Sequence, residues 1–129
     1  NYTITLPSAL PVENGYVLTS DTSGNTSWAI PQSFTWSIQT GSFSAQAFNA
    51  YFVNTSSSAL TATLPSSPSI GDTIKFFDVA STFDSNTFTV ARNGNLIQGD
   101  SSNLTVDSEN AAFELVYSNS SFGWRIFSI

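Results

Sequence analysis

Cysteine, histidine and methionine are all missing from this 129-residue chain, and charged side chains make up only 9% of it. Without histidine or cysteine, a Ser-His-Asp triad, a cysteine nucleophile and the usual zinc sites are impossible within one chain. The cations are Lys75, Arg92 and Arg125, against nine carboxylates, for a formal charge of −6. Phosphate backbones are gripped by clustered lysines and arginines, so nucleic acid is excluded as a partner. The same scarcity disfavours an anionic membrane surface. No apolar run approaches the ~20 residues of a membrane-spanning helix, so no membrane insertion is expected. There is no Gly-x-x-x-x-Gly-Lys phosphate loop and no Gly-x-Gly-x-x-Gly, and no cofactor is implied. Without disulfides, stability has to come from packing or from assembly. The chain begins at Asn1 rather than at a methionine and reads as a piece of a longer polypeptide.

What is present is aromatic. Phenylalanine occurs 11 times and 40% of residues are hydrophobic, a content that disordered chains lack. The solvent face must then be built from Ser, Thr and Asn. Apolar residues recur at period two almost everywhere, and nowhere at a helical period over three turns. Phe34, Trp36 and Ile38 alternate with polar neighbours; so do Leu60, Ala62 and Leu64, then Phe88 and Val90. Phe113, Leu115 and Tyr117 follow, then Trp124 and Ile126. Each run predicts a half-buried strand. Asn14-Gly15 and Asn93-Gly94 are hairpin dipeptides, and Gly99-Asp100-Ser101-Ser102 is a further loop. Ala112–Tyr117 and Gly123–Ile129 form a closing hairpin around Ser118–Phe122. The one helical candidate is a turn within Ser42–Phe48. Short strands at this spacing predict an all-β fold, an antiparallel β-sandwich or small barrel.

An internal echo divides the chain. Thr3-Ile4-Thr5-Leu6-Pro7-Ser8 returns as Thr61-Ala62-Thr63-Leu64-Pro65-Ser66. Each copy is followed by a second proline (Pro11, Pro68), a glycine (Gly15, Gly71), an apolar strand (Tyr16–Leu18, Thr73–Phe77) and an aspartate (Asp21, Asp78). The first ~30 residues are too few to bury a core of their own. Pro31-Gln32-Ser33 marks the boundary, giving a short β-rich segment over 1–33 and a sandwich domain over 34–129. The segment must pack on the rest of the chain or on copies of itself, and Ile4, Leu6, Val17 and Trp28 are the apolar residues expected at an interface between copies.

Carboxylate pairs are the one remaining route to hydrolysis. The candidates are Asp72, Asp78, Asp84, Asp100, Asp107, Glu109 and Glu114. Several flank turn residues, where aspartate ordinarily binds backbone N–H groups, and Glu114 should face solvent opposite core positions. No catalytic residue is assigned and no enzymatic activity is expected. Asp84-Ser85-Asn86 and Asp107-Ser108-Glu109-Asn110 hold oxygen ligands of the kind Ca²⁺ takes, but neither fits an EF-hand loop, and they read as solvated loops with no metal. Sugar recognition pairs an aromatic ring with amide and hydroxyl groups. Phe122 beside Asn119 and Phe83 beside Asp84 are the loop aromatics that suit it, but the favoured reading is that both rings fold under their loops and pack. Trp28, Trp36 and Trp124 read as core or interface.

The stretch Thr3-Ile4-Thr5-Leu6-Pro7, Pro11, Asn14-Gly15-Tyr16-Val17-Leu18-Thr19-Ser20-Asp21 and Gly24-Asn25-Thr26-Ser27-Trp28 resembles a motif of tailed-bacteriophage fibre and spike proteins, where it joins shaft to head. Tyr51-Phe52-Val53-Asn54-Thr55, Thr63-Leu64-Pro65, Gly71-Asp72-Thr73, Asn93-Gly94 and Gly123-Trp124-Arg125 are similar to C-terminal modules of fibres from marine phages, cyanophages included. The resemblance makes 1–33 a shaft or junction and 34–129 a head, and implies a homotrimeric, extracellular virion appendage that attaches to a host surface glycan or protein. It carries over no catalytic or receptor-binding position, and the number three comes from it alone. Two other readings share the β pattern: a carbohydrate-binding module of a bacterial secreted enzyme or adhesin, monomeric with a row of exposed aromatics on one face, and a purely architectural virion protein.

Overall fold

Alternating apolar and hydroxyl side chains become strands along nearly the whole chain. The computed structural model describes residues 3–11, 14–29 and 33–127, and among these there is no helix. Pro31 and Gln32 of the expected boundary and the last two residues of the closing strand lie outside the described residues. Two compact units form, Asn1–Ser33 and Phe34–Ile129.

The first unit is a hairpin. β1 (Val17–Ser20) pairs antiparallel with β2 (Thr26–Ala29), from Val17 opposite Ala29 to Ser20 opposite Thr26. Asp21 shapes the turn, accepting hydrogen bonds from the Ser23 and Asn25 N–H groups, both at 2.9 Å. Thr5 bridges Asn25 in parallel, and the Thr26 hydroxyl donates to the Thr5 carbonyl. At Gly24, φ is +85° and a Cβ would lie 2.8 Å from the Thr3 carbonyl oxygen, so only glycine fits this close approach.

The second unit stacks two sheets. β3 (Thr35–Gln39), β5 (Asn49–Val53) and β7 (Thr73–Asp78) lie side by side, all parallel. β10 (Ala112–Tyr117) and β11 (Trp124–Phe127) continue this sheet antiparallel, in the order β11-β10-β7-β5-β3. β4 (Phe43–Ser44), β6 (Leu60–Thr63), β8 (Phe88–Ala91) and β9 (Leu104–Val106) make the other sheet, the first three parallel and β9 antiparallel to β8. From β3 to β8 the chain therefore alternates between sheets, winding as a short solenoid before three antiparallel strands, β9, β10 and β11, close it. Parallel neighbours need a crossover, and here each crossover carries a strand of the opposite sheet.

The all-β sandwich stands, but not as an antiparallel one, and it is not a closed barrel. Within this unit four strand pairings are parallel and three antiparallel. Period two reports which face a residue takes and says nothing of its neighbour's direction. The turn expected within Ser42–Phe48 is no helix: Phe43–Ser44 is strand and only Ala47–Phe48 turns, with Phe48 at φ +60°.

Tyr51, Val53, Leu60, Ala62, Ile74, Phe76, Phe88, Val90, Leu115 and Trp124 fill the space between the sheets. Most of the alternating runs thus point inward as expected, and Trp124 is enclosed core. Gly123, before it, has φ +68°, and a Cβ there would sit 2.1 Å from the Leu96 carbonyl oxygen. That same oxygen accepts the Trp124 N–H at 2.8 Å, so this glycine lets the β8–β9 connection close over the last strand.

Both copies of the echo end in an aspartate that gathers N–H groups. Asp78, buried at the end of β7, accepts from Thr82 and Phe83 at 3.1 Å and from Asn110 at 3.0 Å. Its own N–H reaches the Ala111 carbonyl. Truncating Asp78 to alanine leaves these donors without an acceptor, so Asp78→Ala should lower stability by roughly 3–5 kcal/mol in urea denaturation, against under about 1 kcal/mol for Asp100→Ala in an exposed loop.

Candidate functional site: an aromatic face on the five-stranded sheet

The register of β3 decides between the two places open to Trp36, core or interface, and it is not core. Trp36 pairs with Ala50 and Ile38 with Phe52, whereas Ser37 pairs with the buried Tyr51. Directly paired residues share a face, so Trp36 and Ile38 point outward, 51% and 64% exposed. Phe34, Trp36 and Ile38 are therefore not core, and the polar side of β3 turns inward.

Two rungs of this outer face run across the sheet. One contains Trp36, Ala50, Lys75, Glu114 and Phe127; the next contains Ile38, Phe52, Phe77 and Ala112. Trp36 lies 5.3 Å from Phe52 and 5.6 Å from Phe77, ring centre to ring centre, and Phe52 lies 5.7 Å from Phe77. β3 and β7 are separated by β5, so their backbones stand about 10 Å apart. The indole must lean across β5 to reach Phe77. Ala50, beneath it and pointing outward, has no exposure at all. A small residue at 50 thus lets the large rings close into one surface.

Lys75 and Glu114 sit within this face, 3.9 Å apart, with side chains 29% and 19% exposed. Glu114 is on the solvent side of its strand, as its alternation implies, but largely covered. The Lys75 ammonium also stands 4.3 Å over the Phe34 ring. Beside the pair is a depression of about 140 Å³, bordered by Phe77, Ala112 and the exposed Phe127.

The loop candidates separate. Phe83 is fully buried and stacks 5.1 Å from Phe88, because Asp78 holds its N–H and turns the ring inward. It can touch no surface ligand, and neighbouring Asp84 is exposed alone, with Ser85 as its side-chain partner. Phe122 is 60% exposed at the tip of the closing hairpin. Asn119 is next to it but spends its amide oxygen on the Ser121 and Phe122 N–H groups, both at 2.9 Å. Phe122 and Asn119 are brought together; Phe83 and Asp84 do not join them.

In the first unit Ile4, Leu6 and Leu10 are largely exposed, as is β1 on both faces, Val17 and Leu18 included. Trp28 differs: its ring is half-buried and its Nε1 donates to the Ala9 carbonyl at 2.9 Å.

Among the carboxylates, Asp72 accepts from Ser69 N–H at 2.9 Å, and Asp78 is engaged as above. Among the described residues no three acidic side chains converge on a metal-sized space. Asn86, in one of the oxygen-rich loops, points its amide at the Thr55 carbonyl. Burial lifts the Tyr51 phenol above its ordinary value, against the pull of the Gln46 N–H.

Two measurements follow from this geometry. Phe83→Ala should cost roughly 3–5 kcal/mol in chemical denaturation, and Phe122→Ala under about 0.5 kcal/mol. The Asn25 side-chain amide, with the Asn25, Ser23 and Gly24 N–H groups, holds the Asp21 carboxyl below its ordinary value of 3.8. Its support for the turn is complete above that value and is lost as pH falls through the lower, folded midpoint. An NMR titration should show the Asp21 carboxyl midpoint below 3.8, with the Asn25 amide following the same curve.

No family model matches this chain, and no curated protein matches its sequence.

Proposed function

We propose that the chain is a structural and receptor-binding module of a bacteriophage tail fibre, working outside the cell as a homo-oligomer that holds the virion to a host surface glycan or protein. One observation carries the reading: the first unit is a hairpin whose apolar side chains are left largely open, with Ile4 67% and Leu6 68% exposed. A two-stranded hairpin is marginal in water by itself, so one with open leucines, isoleucine and valine calls for a cover. Sister copies around a symmetry axis supply such a cover, and the likeness of this segment to fibre junction motifs makes their number three. The engagement of Asp72 and Asp78 with backbone N–H groups fits a module that acts by holding rather than by chemistry.

A carbohydrate-binding module of a secreted enzyme or adhesin is the second reading, favoured by the outward cluster of Trp36, Phe52 and Phe77. Such a module is monomeric, so assembly separates the two. Native mass spectrometry at micromolar concentration should give a trimer. Replacing Ile4 and Leu6 together by serine should shift it towards monomer while the unfolding transition of the sandwich stays in place. A monomeric parent chain would overturn the fibre reading.

A further inference from the structure

We infer that the outer face of the five-stranded sheet is a saccharide platform, on which a neutral pyranose ring stacks against Trp36 and Phe77 while Lys75 and Glu114 bind its hydroxyls. The inference rests on the attachment reading above and names the place and chemistry of contact.

Four features of the face converge on this ligand class. Trp36, Phe52 and Phe77 form a contiguous aromatic surface, and the indole is half open to solvent. The C–H face of a pyranose is an apolar plate of the size of one such ring, and aromatic side chains offer it both area and a polarised π cloud. Next to Phe77 lies the 140 Å³ depression, with the exposed ring of Phe127 on its far side, so a sugar resting on the rings has room for its substituents.

The third feature is the hydrogen-bonding capacity of the charged pair. At 3.9 Å, Lys75 Nζ and the Glu114 carboxylate are within ionic reach but beyond hydrogen-bond length. An ammonium has three donors and a carboxylate about four acceptor positions. Neither side chain makes another hydrogen bond in the described residues beyond the contact of Lys75 with the Phe34 ring. Donors and acceptors are left over side by side, and a sugar diol answers both, each hydroxyl donating a hydrogen bond to Glu114 or accepting one from Lys75.

The fourth is complementarity of charge. An anionic ligand on this spot meets Glu114 and a cationic one meets Lys75. A neutral polyol meets no like charge. A second copy of the chain laid flat here would have to strip water from the pair without replacing its missing hydrogen bonds, which is costly for ions so loosely joined. The aromatic face and the open hairpin of the first unit are thus given different occupants: sugar on the former, sister chains on the latter.

The test uses the full chain, with methyl pyranosides of glucose, galactose, mannose and N-acetylglucosamine as probes at millimolar concentration. Two-dimensional NMR should show the Trp36 indole N–H shifting in a saturable way with at least one of them, with the Trp28 and Trp124 signals unmoved. Trp36→Ala should weaken that binding at least about tenfold with the thermal transition retained, and Glu114→Gln by several-fold. The inference is overturned if none of the four moves the Trp36 signal, if Trp36→Ala binds as the parent does, or if the Trp36 indole is already shielded from solvent in the free assembly, which would assign the face to another copy of the chain. A monomer that binds a pyranoside through Trp36 removes the fibre reading and leaves the platform. A trimer indifferent to all four pyranosides does the reverse.

Discussion

One buried carboxylate organises the larger unit. Asp78 ends β7 on the core side and accepts N–H groups from Thr82, Phe83 and Asn110. Through the first two it folds the loop after β7 back on itself and turns Phe83 down onto Phe88. Through the third it fixes the entry to β10, and its own N–H on the Ala111 carbonyl tightens the same junction. The loop is further tied where the Thr55 and Thr82 hydroxyls meet at 2.7 Å and where the Asn86 amide reaches the Thr55 carbonyl at 2.8 Å. One side chain thus ties the β7–β8 crossover to the start of the antiparallel strand β10.

That junction also sets the sheet on which the aromatic face is laid. β7 carries Ile74 and Phe76 inward and Lys75 and Phe77 outward, and β10 aligns Glu114 beside Lys75. β5 gives Phe52 outward between Tyr51 and Val53 in the core, and β3, added parallel at the edge, gives Trp36 and Ile38. Several central strands are apolar on both sides, a pattern more usual where both faces of a sheet are covered. Here one face is covered by the second sheet and the other by its own rings leaning over Ala50.

The distribution of apolar surface gives the two units different characters. The larger closes a core around Phe76, Phe83, Phe88 and Trp124, and its outward aromatics stand on a rigid support. The smaller has turn chemistry of high definition, with Asp21 gathering the Ser23 and Asn25 N–H groups, but leaves Ile4, Leu6 and Leu10 in solvent. The repeated Leu-Pro…Gly…Asp pattern serves both. In each, an early strand pairs in parallel with a segment beyond the aspartate: Thr5 with Asn25 in one, β6 with β8 in the other. The same local grammar thus yields a hairpin in the smaller unit and part of a packed sandwich in the larger.

Much of this was legible in the residues themselves, because it depends on short-range geometry. Period-two alternation marks strands such as Leu60–Thr63 and Phe88–Ala91 and their buried sides, glycines mark the turns, and the lack of histidine and cysteine removes whole classes of chemistry. The direction of each strand's neighbour was not legible, since alternation is identical for parallel and antiparallel pairing. Nor was the facing of β3: the alternation of Trp36 and Ile38 with Ser37 and Gln39 suits core or interface equally, and the register with β5 turns the apolar side outward. Phe83 and Phe122 occupy similar polar loops in the sequence, and only the reach of Asp78 buries one while the hairpin tip exposes the other. Local pattern tells which side of a ribbon is apolar; which side meets the core is decided by pairings between residues far apart in the chain, and these exist only in the folded structure.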